Sequence, residues 1–109
     1  MSWVVDYLPE AKKDMLSLDH SVQMQVLKGI RKVAKNPVST NEGGYGKPLG
    51  NKNGTDLTGL YKIKFLDLGI RVVYQLVVTA TTMKIIVVSA RTDDQVYKEA
   101  ARRREKHDI

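Results

Sequence analysis

Residues 57–90 read LTGLYKIKFLDLGIRVVYQLVVTATTMKIIVVSA, and this run decides the fold. It divides into three apolar segments, Leu57 to Leu66, Ile70 to Val78 and Met83 to Ala90, separated only by Asp67-Leu68-Gly69 and by Thr79 to Thr82. β-Branched and aromatic residues dominate each segment, which is the composition of strands. Links this short join antiparallel neighbours, because a parallel crossover needs a much longer connection. Three successive strands in hairpins therefore make the centre of a sheet.

Upstream, Trp3-Val4-Val5-Asp6-Tyr7 has the same character and is closed by Pro9, so it predicts a first strand, with Pro9 suited to the first turn of a helix. Ala11, Met15 and Leu18 then recur at helical spacing, and Asp19 is placed to cap a second helix. That helix carries Val22, Val26, Ile30 and Val33 on one stripe and should stop before Asn36-Pro37. The glycines and small polar residues of 38–47 and 50–54 predict loop. After the strands, Thr92-Asp93-Asp94-Gln95 is a capping box that opens a terminal helix containing Val96, Tyr97 and Ala100. The order is β-α-α-β-β-β-α. It predicts an α+β single domain over residues 1–109, with a mostly antiparallel four-stranded sheet packed by the two N-terminal helices and a C-terminal helix at the end. One face of that sheet is expected to stay partly open.

The chain has 109 residues, enough for one core, and its 42% hydrophobic and 28% charged residues exclude wholesale disorder. With no cysteine, disulfide frameworks, zinc ribbons, thiolate nucleophiles and iron–sulfur centres are excluded together. No signal-like or membrane-length apolar run is present, so a soluble cytoplasmic protein without membrane partners is expected. A net charge of +6 favours polyanionic partners, nucleic acid among them.

The strand period places Tyr61, Ile63 and Phe65 on one face and Lys62 and Lys64 on the other. Arg71 falls opposite the apolar face of the next strand, near the turn from Lys64. Over residues 60–91, Lys62, Lys64, Arg71, Lys84 and Arg91 stand against a single acid, Asp67. Any one of these cations reads first as a solvated strand residue; their convergence on one face singles them out. Arg91 leaves the last strand and Tyr97 follows in the terminal helix, so both reach the same end of the sheet if that helix folds back. Cleavage of RNA by its own 2′-hydroxyl needs a proton acceptor, charge stabilisation on the phosphate and a proton for the departing 5′-oxygen. Lysines, arginines and a tyrosine supply these without a metal or cofactor, and arginine's planar fork fits phosphate oxygens. His20 and His107, the only histidines, lie at a helix start and near the C-terminus, which argues against a two-histidine nuclease. Carboxylates show no metal-ligand spacing, and Gly43-Gly44-Tyr45-Gly46-Lys47 lacks the order of a P-loop.

The segments Gly59-Leu60-Tyr61-Lys62-Ile63-Lys64-Phe65, Gly69-Ile70-Arg71-Val72-Val73-Tyr74-Gln75, Ser89-Ala90-Arg91 and Val96-Tyr97 together resemble the RelE branch of the RelE/ParE toxin superfamily of bacterial toxin–antitoxin systems. The resemblance implies a microbial RNase-like fold and a ribosome-dependent endoribonuclease that cuts messenger RNA in the ribosomal A site, inhibiting translation until a cognate antitoxin binds. It places the family's site on Lys62, Lys64, Arg71, Arg91 and Tyr97. Arg91 falls in the role of leaving-group partner, and Lys64 and Tyr97 are both candidates for the base. The chain departs from a short RelE toxin in its longer 38–58 segment and in the basic tail Arg102-Arg103-Arg104-Glu105-Lys106-His107, read as a solvated helix end favoured by the helix dipole. Two other readings compete: a ParE-like DNA gyrase inhibitor without nuclease activity, and a basic RNA-binding domain whose activity has decayed. An acidic, partly disordered antitoxin follows as partner from the charge and from the open sheet face.

Overall fold

The hairpin run forms the middle of the sheet. In the computed structural model, which describes residues 2–52 and 54–109 and only the backbone of Lys52, β1 spans Val4–Tyr7, α1 Pro9–Leu16, α2 His20–Ala34, β2 Lys47–Lys52, β3 Thr55–Phe65, β4 Ile70–Val77, β5 Thr82–Ser89 and α3 Asp93–His107. The strand order is β1-β5-β4-β3-β2, with β1 parallel to β5 and the other pairs antiparallel. The β3–β4 link turns tightly through Gly69, whose φ of 65° lies in the left-handed region that glycine enters without a Cβ clash.

The sheet has five strands, not four, because part of the predicted loop pairs with β3. Lys47–Lys52 contains proline, glycine and asparagine, all poor strand formers, so local propensity points to loop. Tertiary pairing overrides it. Pro48 is tolerated because β2 is an edge strand, and the register shifts between Pro48 and Gly50. Leu49, only 5% exposed, anchors the strand in the core. The preceding 38–46 stretch is irregular apart from a short 3₁₀ turn, Thr40–Glu42, where the Ser39 hydroxyl accepts from Asn41 N at 3.1 Å.

The apolar face predicted for the strands is real: Tyr61, Ile63 and Phe65 lie opposite Tyr74, Val72 and Ile70. Helix α2 lies against it, starting after Asp19 and ending at Ala34 as its stripe and Asn36-Pro37 predict. Gly29 comes so near the Phe65 ring that an added Cβ would sit 2.2 Å from it, so only glycine permits this approach. Tyr61 and Tyr74 stack with centroids 5.3 Å apart, and the Tyr74 hydroxyl donates to Pro37 O at 2.8 Å. Burial raises the pKa of that phenol, so it stays protonated as a donor. Tyr74 thus holds the α2–β2 connection to the sheet.

The opposite face is not open. Helix α3 packs across β3, β4 and β5, burying Val96, Tyr97 and Ala100, and Val73 and Val87 beneath it are 0% and 1% exposed. A strand with Val72, Val73 and Tyr74 all fully buried is covered on both sides.

The basic tail is likewise tied down rather than solvated. Arg103 is 8% exposed; it donates to Asp14 Oδ2 at 2.7 Å, to Glu99 Oε2 at 2.7 Å and to Ile86 O at 2.9 Å. Asp14 also accepts from Val88 N at 3.1 Å, so one carboxylate joins α1, β5 and α3. Arg104 donates to Asp56 O and Thr58 O, while Lys106 and His107 both reach Glu10. These bonds engage cations that the sequence left for solvent. Among the described residues, no helix is long and apolar enough to cross a membrane.

Candidate functional site

Strand register puts Lys64 directly across from Arg71, and Lys62 two residues back across from Val73. Both lysines therefore point to the α3 side, where the first turn of α3 meets them. That turn is fixed by a complete capping box: the Thr92 hydroxyl accepts from Gln95 N, and the Gln95 side chain accepts from Thr92 N at 3.3 Å. Asp93, the first residue of the helix, consequently faces the strand cations. Lys64 Nζ lies 2.8 Å from Asp93 Oδ2, and Arg71 Nε donates to Asp93 Oδ1. Arg71 Nη1 makes a further bond to Arg91 O at 2.8 Å. The Lys64 hydrogen bond, with help from Arg71, holds the Asp93 carboxyl below its ordinary range.

Tyr97 follows Asp93 by one helical turn on the inner side of α3. It is 6% exposed, and its hydroxyl is buried without a hydrogen-bond partner among the described residues. Burial first, and the Asp93 charge second, push its pKa up, while Lys64 and Arg71 act in the opposite sense. An unpartnered buried hydroxyl is uncommon in a folded chain and costly to keep. Here it sits beside two cations.

The structure thus brings Lys64, Arg71 and Tyr97 together, with Lys62 adjacent and half-buried on the same face of β3. Arg91 joins them through its backbone carbonyl; the residue is exposed and borders a cavity of about 140 Å³ shared with Asp14, Glu99 and Arg103. On the other side of Lys64 lies a larger groove of about 540 Å³ between α2 and the β3–β4 turn, with Lys28 and Lys32 on its α2 side and Phe65 and Leu66 on its strand side. Leu66 is 83% exposed there.

Asp93 was missed as a site residue for a definable reason. An acid in the first helical turn is explained by capping chemistry and the helix dipole alone, and the charge count over 60–91 stops two residues short of it. Only the β3–β4 register reveals what it faces. Without Asp93 the cluster would present an ammonium, a guanidinium fork and a phenolic donor to one point, which is the equipment for binding a tetrahedral oxyanion.

No protein-family model and no curated protein matches this sequence. Solved structures do. The chain is similar to an arginine-to-alanine double mutant of the E. coli toxin RelE in its free state, with a TM-score of 0.70 and 27% identity over 94% of this chain and 98% of that one. Its fold is that of a RelE-type toxin. The isolated E. coli RelE toxin gives a TM-score of 0.67 at 26% identity, covering 94% of this chain and 98% of that one. The toxin–antitoxin complex RelBE2 of Mycobacterium tuberculosis shares the fold, with a TM-score of 0.65 at 22% identity over 85% of this chain and 95% of that chain. The RelE likeness does not favour the ParE-like reading.

Proposed function

We propose that this chain, as a single domain over residues 1–109, is a cytoplasmic toxin that cleaves messenger RNA in the A site of the ribosome. It does so by metal-independent attack of the 2′-hydroxyl and is neutralised by a cognate antitoxin. The observation that carries this reading is the convergence, in a RelE-type fold, of Lys64, Arg71 and a Tyr97 hydroxyl that has no partner among the described residues. The antitoxin partner is supported by the likeness to the E. coli RelE mutant in complex with the RelBc antitoxin peptide, at 26% identity and a TM-score of 0.66.

In this reading Arg71 and Lys64 take the non-bridging phosphate oxygens, with Lys62 extending the cationic strip toward the next phosphate. Tyr97, whose pKa is raised, stays protonated as a hydrogen-bond donor to the same phosphate once RNA is bound. Arg91, exposed at the end of β5, offsets charge on the departing 5′-oxygen. Lys64 and Tyr97 are the two groups able to exchange a proton with the 2′-hydroxyl, and the pH dependence of Lys64→Ala and Tyr97→Phe cleavage separates them. The groove beside Lys64 offers Phe65 and Leu66 as apolar surface for a flanking base and Lys28 and Lys32 for backbone phosphates.

The decisive experiment is primer extension on a defined message in a reconstituted translation reaction, with purified protein, with Arg91→Ala and without ribosomes. Ribosome-dependent cuts in the A-site codon that drop by at least about a hundredfold in the variant, the range for loss of one charge-stabilising group, support the reading. Intact message with the wild-type protein sinks it.

A further inference from the structure

We propose that Asp93 is a tethered anion that fills the phosphate seat of the free protein, so that an RNA phosphodiester enters by displacing this carboxylate from Lys64 and Arg71. This rests on the phosphate-binding reading of the cluster and adds to it a residue that sets how strongly the seat competes for its ligand.

Four observations converge on it. First, one carboxylate engages both strand cations at once, through Oδ2 to Lys64 at 2.8 Å and Oδ1 to Arg71 Nε. A carboxylate bridging an ammonium and a guanidinium presents the same pair of acceptor oxygens as the non-bridging oxygens of a phosphodiester. Second, the Asp93 side chain is not needed to start its helix. Thr92 and Gln95 supply the capping box between them, so the carboxylate is free to rotate away without unwinding α3. Third, the exit is open: the Asp93 side chain is 40% exposed, against 27% for Arg71. Arg71 keeps its second bond, to Arg91 O at 2.8 Å, so the guanidinium stays aimed at the seat after the carboxylate leaves.

Fourth, Tyr97 is left unsatisfied by the present occupant. Its hydroxyl is buried and without a partner among the described residues, although Asp93, Lys64 and Arg71 all lie near enough to bear on its acidity. The two Asp93 oxygens are directed at Lys64 and Arg71, and neither bonds the tyrosine hydroxyl. A phosphate has a further oxygen to accept from the tyrosine, so exchanging Asp93 for phosphate satisfies a donor that the free protein strands. The seat therefore selects a tetrahedral oxyanion over its own planar one, and Asp93 keeps weaker anions out.

The test is titration of the full-length protein with inorganic phosphate at constant ionic strength, followed by NMR at the Arg71 Nε–H and the Asp93 carboxylate carbon. Both signals are expected to move together with one apparent Kd. An Asp93 carbon that stays fixed while Arg71 saturates, or an Arg71 that does not respond at all, overturns the proposal. Asp93→Asn is expected to bind phosphate about fivefold more tightly, the effect of losing one half-exposed competing charge pair. Asp93→Ser, which also suits a helix start, is read instead if the asparagine variant folds poorly. Adding Lys64→Ala to either variant should remove most of the gain. A residue with only a structural role would lower the melting temperature and leave phosphate affinity unchanged or weaker, and that result refutes the idea. Failure of the nuclease reading is distinguishable: coupled Arg71 and Asp93 shifts in a protein that leaves messenger RNA intact keep the seat and discard the nuclease. Cleavage without any gain in Asp93→Asn does the reverse.

Discussion

The two ends of α3 are both held by ion pairs, yet they are built for different tasks. At its C-terminal end Arg103 is buried, with four hydrogen bonds to Asp14, Glu99 and Ile86 O, and Arg104, Lys106 and His107 add links to β3 and α1. At its N-terminal end the carboxylate of Asp93 is half-exposed, and the neighbouring tyrosine hydroxyl has no partner among the described residues. Buried, fully satisfied charges define position; exposed, incompletely satisfied ones are exchangeable. The helix is a lever clamped at one end and loosely docked, over the cations, at the other.

The strongest way to break this contrast is to remove the clamp. Arg103→Ala deprives Asp14 of its only ion-pair partner among the described residues and removes one of the two arginines on Glu99, in a partly dry site. Unfolding in urea is expected to show a loss of about 3 kcal/mol, the cost of deleting one partner from a buried pair. A loss under about 1 kcal/mol, the worth of a surface pair, would mean the two ends are alike.

Acid titration sharpens the same comparison. Glu10, held by hydrogen bonds from His107 and Lys106, and Glu99, held chiefly by Arg102 and then Arg103, are both lowered from 4.5 to about 2. A carboxylate with a depressed folded-state pKa binds fewer protons folded than unfolded, so its contribution is complete above about pH 5 and drains away as pH falls toward 2. The melting temperature should therefore fall through that window, and Glu10→Gln with Glu99→Gln should flatten the slope. Asp93 is lowered too, by Lys64 first, so Asp93→Asn should flatten it by less, given its exposure. An equal flattening from the two ends would contradict the clamp-and-seat division.

Much of this was legible in the sequence, and the failures share a cause. The three central strands, the α2 stripe and the capping box rest on local periodicity and turn chemistry, which act over a few residues. Lys64 opposite Arg71 followed from the short turn between their strands. What escaped was whatever depends on distant partners: β2, whose Pro48 and Gly50 argue for loop until β3 pairs with them; Arg103, which reads as solvated until it meets Asp14 across the chain; and Asp93, which reads as a cap. The expected open face failed for the same reason, since the sequence of α3 alone does not say where that helix lies.

At neutral pH, Asp93→Asn alone should cost under about 1 kcal/mol of stability, because exposed pairs repay little of what ordering two long side chains costs. A larger loss by urea denaturation would make the N-terminal contact a second clamp.

The smallest effect belongs to Tyr97→Phe. Deleting a buried hydroxyl normally sacrifices a hydrogen bond worth about 1 kcal/mol. Here there is none to sacrifice among the described residues, so the ring stays packed between α3 and the sheet and stability should change by less than about 0.5 kcal/mol, or rise. The same substitution should lower messenger RNA cleavage in the translation reaction, because the hydroxyl finds its partner only when phosphate replaces Asp93. Stability and activity therefore separate at Tyr97, whereas at Arg103 activity should fall in step with loss of the fold. A Tyr97→Phe protein destabilised by more than about 1 kcal/mol would show that the hydroxyl is already bonded in the free state, and the seat would then have no donor waiting for a phosphate oxygen.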